Sequence, residues 1–321
     1  MNRKKLFYVV MCVVFVSCIG ATGWAQVSAA GVNYDKVALL KWYPANLVAS
    51  FTVGADPVGV AFDGANIWVT NSVSNTVMKL RAADGFNLGT FPVGVNPVGV
   101  AFDGANIWVA NSNLLVNSVT KLRAADGANL GTFPVGFAPI GMAFDGTNIW
   151  VANNAAGTLT RLRASDGTQT TFTVGGSPYS IAFDGSNLWV TSPNDNTLLS
   201  VRASDGAVLA RVPVGAFPFG DAFDGTNVWV ANNRSNNVTK VRARDGVVLG
   251  TFAVGSAPVG VAFDGANVWV TNSGSNTVTE LRAADGANLG TFPVGTRPWG
   301  VAFDGAFIWV ANSLDGTVSK Q

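Results

Sequence analysis

Short apolar runs and polar turns alternate along this chain in an order that returns about every 40 residues. The phrase from Pro57 to Val69 combines an apolar run, an Asp-Gly pair and a Trp-Val pair. It begins again, with small changes, at Pro97, Pro139, Pro178, Pro218, Pro258 and Pro298. The chain therefore contains seven copies of one unit, and a period of this length is typical of propellers and solenoids.

Each copy contains four short segments with the two-residue period of a β-strand. In the first copy, residues 58–62 and 67–69 flank Asp63-Gly64, and residues 76–81 precede Asp84-Gly85 and a fourth run. Asp-Gly between apolar runs favours a tight hairpin because glycine accepts a positive φ without steric cost. Beyond the N-terminal apolar stretch, no segment has the 3.6-residue period of an amphipathic helix. Four antiparallel strands in about 40 residues are the content of a propeller blade.

The two chain ends decide between a closed propeller and an open β-solenoid. The copy that opens at Pro298 lacks its fourth run, and Phe51-Thr-Val-Gly54 matches the fourth-run sequence Phe91-Pro-Val-Gly94. A solenoid would instead carry polar caps at its ends. We therefore predict an all-β fold over residues 37–321, a seven-bladed β-propeller of four-stranded antiparallel blades closed by N- and C-terminal strands that share one blade.

The strand composition of the shared blade is left open by the repeat. Residues 37–41 and residues 318–320 both match the third strand of a copy. Closure by three C-terminal strands plus one N-terminal strand and closure by two plus two are both compatible with this match. We favour three plus one.

The first 25 residues have the pattern of a signal peptide. Arg3, Lys4 and Lys5 precede an apolar stretch at residues 6–19, and Gly23-Trp24-Ala25 suits cleavage before the next residue. This stretch is shorter than the roughly 20 residues that cross a bilayer. We expect a secreted or periplasmic protein with no membrane insertion after cleavage, a signal peptide at 1–25 and a short lead at 26–36. Lipidation at Cys18 is the alternative, because Phe15-Val-Ser-Cys18 weakly resembles a lipobox.

The composition argues against several kinds of catalytic and binding chemistry. The chain has no histidine, and its two cysteines, Cys12 and Cys18, lie inside the predicted signal peptide. The mature chain would therefore have no disulfide, no imidazole base and no thiol nucleophile, and we expect no cofactor. Without the three basic residues of the signal peptide, the formal charge of +1 becomes about −2. No nucleic-acid binding is expected from such a charge.

The most regular residues of the repeat are those that we assign to the fold. A large aromatic residue in every copy suits the gap between neighbouring blades, where each would bury roughly 150–250 Å². Most of the 19 acidic residues belong to Asp-Gly turns, which turn chemistry explains without calcium. The arginine that ends each third run, such as Arg81, is expected to pair with the turn carboxylate. The recurring tryptophans are Trp68, Trp108, Trp150, Trp189, Trp229, Trp269 and Trp309.

The sequences Trp68-Val-Thr-Asn71 and Trp108-Val-Ala-Asn111, each preceded by a Pro-x-Gly-x-Ala run, resemble the repeat of YVTN-type β-propellers. The resemblance extends over residues 37–321 and implies the fold, whereas propellers of this kind perform many functions. The rhythm of the repeat is also distantly similar to that of the streptogramin lyases, seven-bladed propellers that depend on histidine. The absence of histidine here argues against a lyase.

The copies differ from one another on one face of the predicted disc, the face opposite the Asp-Gly turns. On this variable face the residue after the proline is aromatic in three copies and aliphatic in the others. One carboxylate stands near the channel where the other copies have Val, Met or Ile, and such a residue is a candidate for a site. We predict a ligand site, with no catalytic or metal-ligating residue, at Tyr179, Phe217, Phe219, Asp221, Arg297 and Trp299.

These observations favour a secreted, monomeric, non-enzymatic binding module that contacts an unidentified protein or polysaccharide through its variable face. The alternative is a small-molecule lyase or hydrolase that uses Asp221 and a carboxylate-held divalent cation near the central channel. Nucleic-acid binding, reported among propellers of the YVTN type, would require a basic patch that the sequence does not contain.

Overall fold

The Asp-Gly turns of the repeat separate the strands of seven four-stranded antiparallel sheets, the blades, which are arranged in a ring. The computed structural model describes residues 49–113 and 115–321, and within them every regular element is a β-strand. The predicted all-β seven-bladed propeller is therefore confirmed for these residues. The predicted signal peptide at 1–25, the lead at 26–36 and the strand match at 37–41 lie outside the described residues.

The strands follow the chain in the order of the repeat. Blade 1 contains β2 (Pro57–Phe62), β3 (Asn66–Asn71), β4 (Thr76–Arg81) and β5 (Asn87–Pro92), and blade 2 contains β6 (Pro97–Phe102), β7 (Asn106–Ser112), β8 (Asn117–Arg123) and β9 (Asn129–Pro134). Blade 3 contains β10 (Pro139–Phe144), β11 (Asn148–Asn153), β12 (Thr158–Arg163) and β13 (Gln169–Thr173), and blade 4 contains β14 (Ile181–Phe183), β15 (Asn187–Ser192), β16 (Thr197–Arg202) and β17 (Val208–Pro213). Blade 5 contains β18 (Pro218–Phe223), β19 (Asn227–Asn232), β20 (Asn237–Arg242) and β21 (Val248–Ala253), and blade 6 contains β22 (Pro258–Phe263), β23 (Asn267–Asn272), β24 (Thr277–Arg282) and β25 (Asn288–Pro293). Blade 7 contains β26 (Pro298–Phe303), β27 (Ile308–Asn312), β28 (Thr317–Lys320) and the N-terminal strand β1 (Ala49–Thr52).

Blade 7 closes the ring with three C-terminal strands and one N-terminal strand. β1 pairs antiparallel with β28, with Ala49 opposite Lys320 and Thr52 opposite Thr317. The Phe51 ring stacks on Trp309 of the same blade at 5.4 Å between centroids. The three-plus-one closure is thus confirmed, and it joins the two ends of the described chain in one sheet.

The recurring tryptophans fill the space between blades, as predicted. Six of them are at most 1% exposed, whereas Trp269 is only partly buried. Trp68 of blade 1, for example, packs in one cluster with Ile107, Val109 and Leu122 of blade 2. Each of the six fully buried tryptophans therefore belongs to the core between two neighbouring sheets rather than to a surface array.

The turn aspartates hold the tryptophans in place, a role that the turn assignment missed. Asp63 accepts backbone N–H groups from Ala65 and Asn66 through Oδ1, while its Oδ2 accepts the indole N–H of Trp68 at 2.8 Å. The same indole-to-carboxylate bond, at 2.7–2.8 Å, occurs in all seven blades. The first Asp-Gly turn thus satisfies the one polar group of a buried indole, which would otherwise be costly to desolvate.

Basic residues on the third strands connect neighbouring blades. Lys79 lies over the Trp68 ring at 5.3 Å and donates its ammonium to the Ala124 carbonyl of blade 2 at 2.7 Å. By contrast, the arginines at the ends of third strands pair with turn carboxylates at the surface, as predicted. Arg123, for instance, lies 2.9 Å from Asp126 with both side chains about half exposed, and such pairs contribute little stability.

Replacing Trp229 by Ala should lower the free energy of unfolding by about 3–5 kcal/mol, as for other fully buried large aromatics. The indole is fully buried, and its removal also takes away the N–H group that Asp224 Oδ2 accepts at 2.7 Å. Denaturant titration followed by circular dichroism measures the change. Leu249→Ala, at an exposed position of an outer strand, is the control and should change stability by less than about 0.5 kcal/mol. Equal effects of the two substitutions would contradict the core assignment.

Removing β1 should open the ring and leave β28 as an unpaired sheet edge, which favours aggregation. A chain that lacks residues 1–55 is compared with one that lacks residues 1–46 and keeps β1. We expect a lower melting temperature and concentration-dependent scattering for the shorter chain only. Identical cooperative melting of both chains would show that β1 does not close the ring.

Candidate functional site

The inner strands of all seven blades surround a central cavity of about 170 Å³. Six of the seven blades contribute their residues around a glycine that follows the proline by two positions, as in Val58-Gly59-Val60. Most of these lining residues are Val, Ile, Met or Gly. The cavity is therefore largely apolar. The lining residues that differ are Tyr179, Ser180, Asp221 and Trp299.

Glycine is required in most inner strands because neighbouring backbones approach closely there. The Gly59 N–H donates to Thr70 Oγ1 at 2.8 Å, and that hydroxyl donates to the Val98 carbonyl of blade 2 at 2.7 Å. A Cβ on Gly59 would overlap that same carbonyl oxygen. The corresponding glycines of blades 2, 3, 5, 6 and 7 meet the next blade in the same way.

Blade 4 is the exception, because Ser180 occupies the glycine position. Its N–H still donates to Thr191 Oγ1 at 3.0 Å, and Thr191 donates to the Phe219 carbonyl at 2.6 Å. The repeat predicts an inner strand like the others, but β14 is regular only from Ile181. The side chain of Ser180 stands where the other blades have none, and the strand is correspondingly shorter.

Asp221 lies on the inner strand of blade 5 and lines the same cavity as Ser180. The residue is 8% exposed, and neither carboxylate oxygen has a hydrogen-bond partner among the described residues. Burial raises the pKa of this carboxyl to about 7, although interactions with the Ser180 hydroxyl and with the N–H groups of Ala182 and Asp221 oppose the rise. The burial thus brings the ionisation of this carboxyl from the acidic into the neutral pH range.

The four aromatic residues that the sequence singled out form one cluster at the mouth of the cavity. The Tyr179 ring stacks on Phe219 with centroids 4.5 Å apart, and Phe217 meets Phe219 edge-on at 5.0 Å. Phe219 also approaches Trp299 at 6.2 Å, across blade 6, whose Val259 is buried. Desolvation raises the pKa of the Tyr179 hydroxyl to about 12, so it is protonated at any ordinary pH.

We call the cluster of Tyr179, Phe217, Phe219 and Trp299 the aromatic mouth. Two arginines lie against its rings. Arg297, one of the predicted residues, lies over Trp299 at 5.3 Å, and Arg234 lies over Phe217 at 4.2 Å. Phe217 and Arg297 have φ of 58° and 55°, in the left-handed region. All six predicted residues thus meet around one cavity and its mouth. Arg234 and Ser180 were missed, although both are departures from the repeat that the sequence already contains.

A second feature of the variable face escaped sequence reasoning. Six apolar side chains of its loops are 46–89% exposed, and they follow one another around blades 7, 1, 2 and 3. We call this set the apolar rim: Leu314, Val73, Val95, Leu115, Val116 and Phe137. The signal was available in part, because the stretch from residue 111 to residue 118 has two extra residues and includes the apolar Leu115 and Val116.

Within residues 49–113 and 115–321, no three acidic, cysteine or histidine side chains converge as a metal site requires. Among the residues that line the central cavity, Asp221 is the one carboxylate. No helix in this part of the chain has the length and hydropathy that crossing a bilayer demands.

Comparison by sequence identifies no relative: no family model matches the chain, and no curated protein does. The YVTN-type resemblance therefore remains a resemblance. Comparison by structure gives many similar folds. Virginiamycin B lyase from Staphylococcus aureus has a TM-score of 0.73 at 18% identity, covering 85% of this chain and 98% of the lyase. A streptogramin B lyase structure has a TM-score of 0.74 at 18% identity, over 85% of this chain and 96% of its own.

Other similar structures belong to different kinds of protein. Hydrazine synthase from Kuenenia stuttgartiensis has a TM-score of 0.73 at 19% identity, covering 83% of this chain and 95% of that one. A functionally unknown protein from Desulfotomaculum acetoxidans has a TM-score of 0.67 at 16% identity, over 82% and 91% of the two chains. At such identities the likeness shows the propeller fold and leaves the activity undecided.

Replacing Asp221 by Val, the residue of several other blades, should stabilise the protein more at pH 8 than at pH 4. Between about pH 3.9, where an unfolded aspartate ionises, and about pH 7 the folded chain keeps a proton that the unfolded chain has released. The free energy of unfolding of the native sequence therefore falls as the pH rises through this range and levels off above it.

Melting temperatures of Asp221→Val and the native sequence at pH 4 and pH 8 test this directly. Asp84→Asn, which removes an exposed carboxylate from the opposite face, controls for the change in net charge. An Asp221→Val gain that is the same at both pH values would mean that the carboxyl ionises normally in the folded protein.

Proposed function

We propose that this chain is an exported, non-enzymatic binding module that holds a protein partner on its variable face. The observation that carries the proposal is the apolar rim beside the aromatic mouth. Exposed aliphatic side chains in such number on loops gain nothing for the fold, and contiguous apolar patches mark interaction surfaces.

The position of the rim separates it from the ordinary exposure of the outer strands. Leucines such as Leu88 and Leu209 are 44% and 46% exposed at equivalent places in several blades, so they belong to the repeat. The rim residues Val73, Leu115 and Leu314 are 68%, 89% and 64% exposed. The loops of blades 3 to 6 carry Ala, Asn, Arg or Gly at the positions of Val73 and Leu314, so the rim is specific to one half of the face.

A protein suits this surface better than a polysaccharide. Aliphatic side chains bury apolar area against a protein, whereas sugar hydroxyls placed against them would lose their hydrogen bonds to water. Trp299, Tyr179 and Arg297 add the residue types that contribute most to protein interfaces. Arg234 and Arg297 already lie over aromatic rings, which limits the side-chain entropy that binding removes.

The small-molecule lyase or hydrolase remains the second candidate, because two of the structurally similar proteins are lyases. A divalent cation in the central cavity would have one protein carboxylate there, that of Asp221. The chain also has no histidine, so the acid or base would have to be Asp221 itself. These points favour the binding module.

Export is proposed from the N-terminal pattern. A signal peptide at residues 1–25 would deliver a chain without cysteine to the periplasm or the exterior, and lipidation at Cys18 would instead hold it at a membrane surface. Tagging the C terminus and comparing the mature mass with that expected for cleavage before Gln26 distinguishes the two.

The binding proposal is tested with a partner isolated on the native protein from an extract of the source organism, then purified and titrated against variants. Leu115→Ser with Val116→Ser removes part of the rim, and Trp299→Ala removes the centre of the aromatic mouth. We expect each to weaken binding of the purified partner at least tenfold. Leu209→Ser with Leu249→Ser, on outer strands, is the matched control and should change the affinity by less than twofold.

Three results would overturn the proposal. The first is normal partner affinity in both face variants. The second is saturable retention of a polysaccharide that depends on Trp299 while no protein partner binds. The third is turnover of a small molecule by the purified chain that needs Mg²⁺ and is lost in Asp221→Asn, which would establish the lyase or hydrolase alternative.

A further inference from the structure

Two departures from the repeat that the fold does not require meet at one point of the central cavity. Ser180 replaces the inner-strand glycine in blade 4, and Asp221 replaces an aliphatic residue in blade 5, the next blade of the ring. Both side chains line the same cavity. Tyr179, beside Ser180, replaces an aliphatic residue as well. Three polar groups are therefore gathered in a wall whose other residues are Val, Ile, Met, Gly and Trp299.

Asp221 is left without a partner in this wall. It is 92% buried, and none of the described residues forms a hydrogen bond with either of its carboxylate oxygens. Buried polar groups are nearly always paired in folded proteins, and an unpaired one calls for a ligand or another explanation. Among the described residues that line the cavity there is no cationic side chain. The charged residues Arg297 and Asp56 lie at its mouth instead.

The missing partner has a recognisable chemistry. An ammonium group has three N–H donors and no acceptor, and the two carboxylate oxygens of Asp221 with the Ser180 hydroxyl offer three acceptors in adjacent blades. A guanidinium has five donors, more than this wall can accept. The aliphatic remainder of the wall suits an unbranched alkyl stem, which would lose little by leaving water.

The dimensions agree with a short stem. Trp299 and Asp221 stand at the second and fourth positions of their inner strands, which corresponds to about 7 Å along the strand direction. That distance is comparable to the four-carbon stem of a lysine with its ammonium. A cavity of about 150 Å³ holds benzene, so one of about 170 Å³ accepts five or six heavy atoms.

Aromatic rings lie at the mouth of the cavity, together with the carboxylate of Asp56 and the guanidinium of Arg297. Tyr179, Phe219 and Trp299 present aromatic rings there, and the faces of Trp299 and Phe217 already hold arginines. Cations are attracted to such faces. We propose that the central cavity binds a primary ammonium group on a short unbranched alkyl stem, a lysine side chain or a free alkylamine, with Asp221 as its counter-ion. This site is independent of the partner surface on the rim.

The test is calorimetric titration of the purified full chain with n-butylammonium at pH 8, compared with 1-butanol and butanoate. We expect the ammonium to bind at least tenfold more tightly than either analogue. Asp221→Asn keeps the shape of the side chain and should weaken ammonium binding at least tenfold. Asp84→Asn removes an equal charge from the opposite face and should leave the affinity within twofold.

The pH dependence gives a second, independent readout. Asp221 has a pKa of about 7, and Tyr179, the other titrating residue of the cavity wall, has one of about 12. Below pH 7 ammonium must displace a proton from Asp221, so its affinity should fall about tenfold per pH unit and about a hundredfold by pH 5. Proton release, measured in buffers of different ionisation enthalpy, should accompany binding at pH 6 and vanish in Asp221→Asn.

Nα-acetyl-lysine amide distinguishes the two sources of the ammonium. Tighter binding of this compound than of n-butylammonium, reduced by Trp299→Ala, indicates the lysine of a protein, and tighter binding of the free amine indicates a small ligand. The proposal is overturned if 1-butanol or butanoate binds as tightly as n-butylammonium at pH 8. It is equally overturned if Asp221→Asn binds normally while remaining folded by circular dichroism.

Discussion

Burial of one tryptophan between each pair of blades is the interaction on which this propeller depends. A sheet of four short strands cannot bury both of its faces alone, and the indole supplies the largest side chain in the gap between neighbouring sheets. The indole brings one N–H group into that gap, and the aspartate of the first turn accepts it in every blade. The turn aspartate and the core tryptophan, five positions apart in every blade, thus act as one unit.

The carboxylates of these turns and that of Asp221 show how environment sets ionisation. Partial burial alone would raise the pKa of Asp224, but hydrogen bonds from Trp229 and Asn227 and from the Thr226 N–H outweigh it, and the pKa is lowered. Asp221 is buried more deeply, and the interactions with Ser180 and with the backbone N–H groups of Ala182 and Asp221 do not outweigh that burial, so its pKa rises. The first carboxylate stabilises the fold as an anion, while the second destabilises it whenever it ionises without a partner. A residue of the second kind is retained most simply for what it binds.

The regularity of the ring also explains why its exceptions are informative. Where the inner strands approach most closely, a glycine is needed because a Cβ would overlap the next blade's carbonyl oxygen. Ser180 breaks this rule, and the strand around it is shortened. The departure adjoins Asp221 and Tyr179, so local irregularity and unusual chemistry coincide on one side of the cavity. The apolar rim occupies blades 7, 1, 2 and 3, mostly away from that side, which gives the variable face two chemically different halves.

The fold could be derived from the sequence almost completely, because the same pattern of apolar runs and turn residues occurs in seven copies. Asp-Gly turns, alternating runs and the complementary ends predicted four-stranded blades and a three-plus-one closure, and the structure agrees. The candidate site was predictable as a set of exceptions to that repeat, since Asp221, Tyr179 and Trp299 differ from their equivalents. Their proximity was not predictable, because Phe219 of blade 5 and Trp299 of blade 7 are 80 positions apart in the sequence, with blade 6 between them.

What the sequence by itself determined is therefore the local hairpins, their number and the positions at which the copies disagree, since these follow from spacing and residue type. Only the tertiary structure decided that Trp299 reaches Phe219 across blade 6, that Asp221 is buried without a partner, and that the exposed apolar loops lie side by side. Each of these depends on the curvature of the closed ring. Curvature arises from the packing of whole blades against one another, and no single repeat contains it.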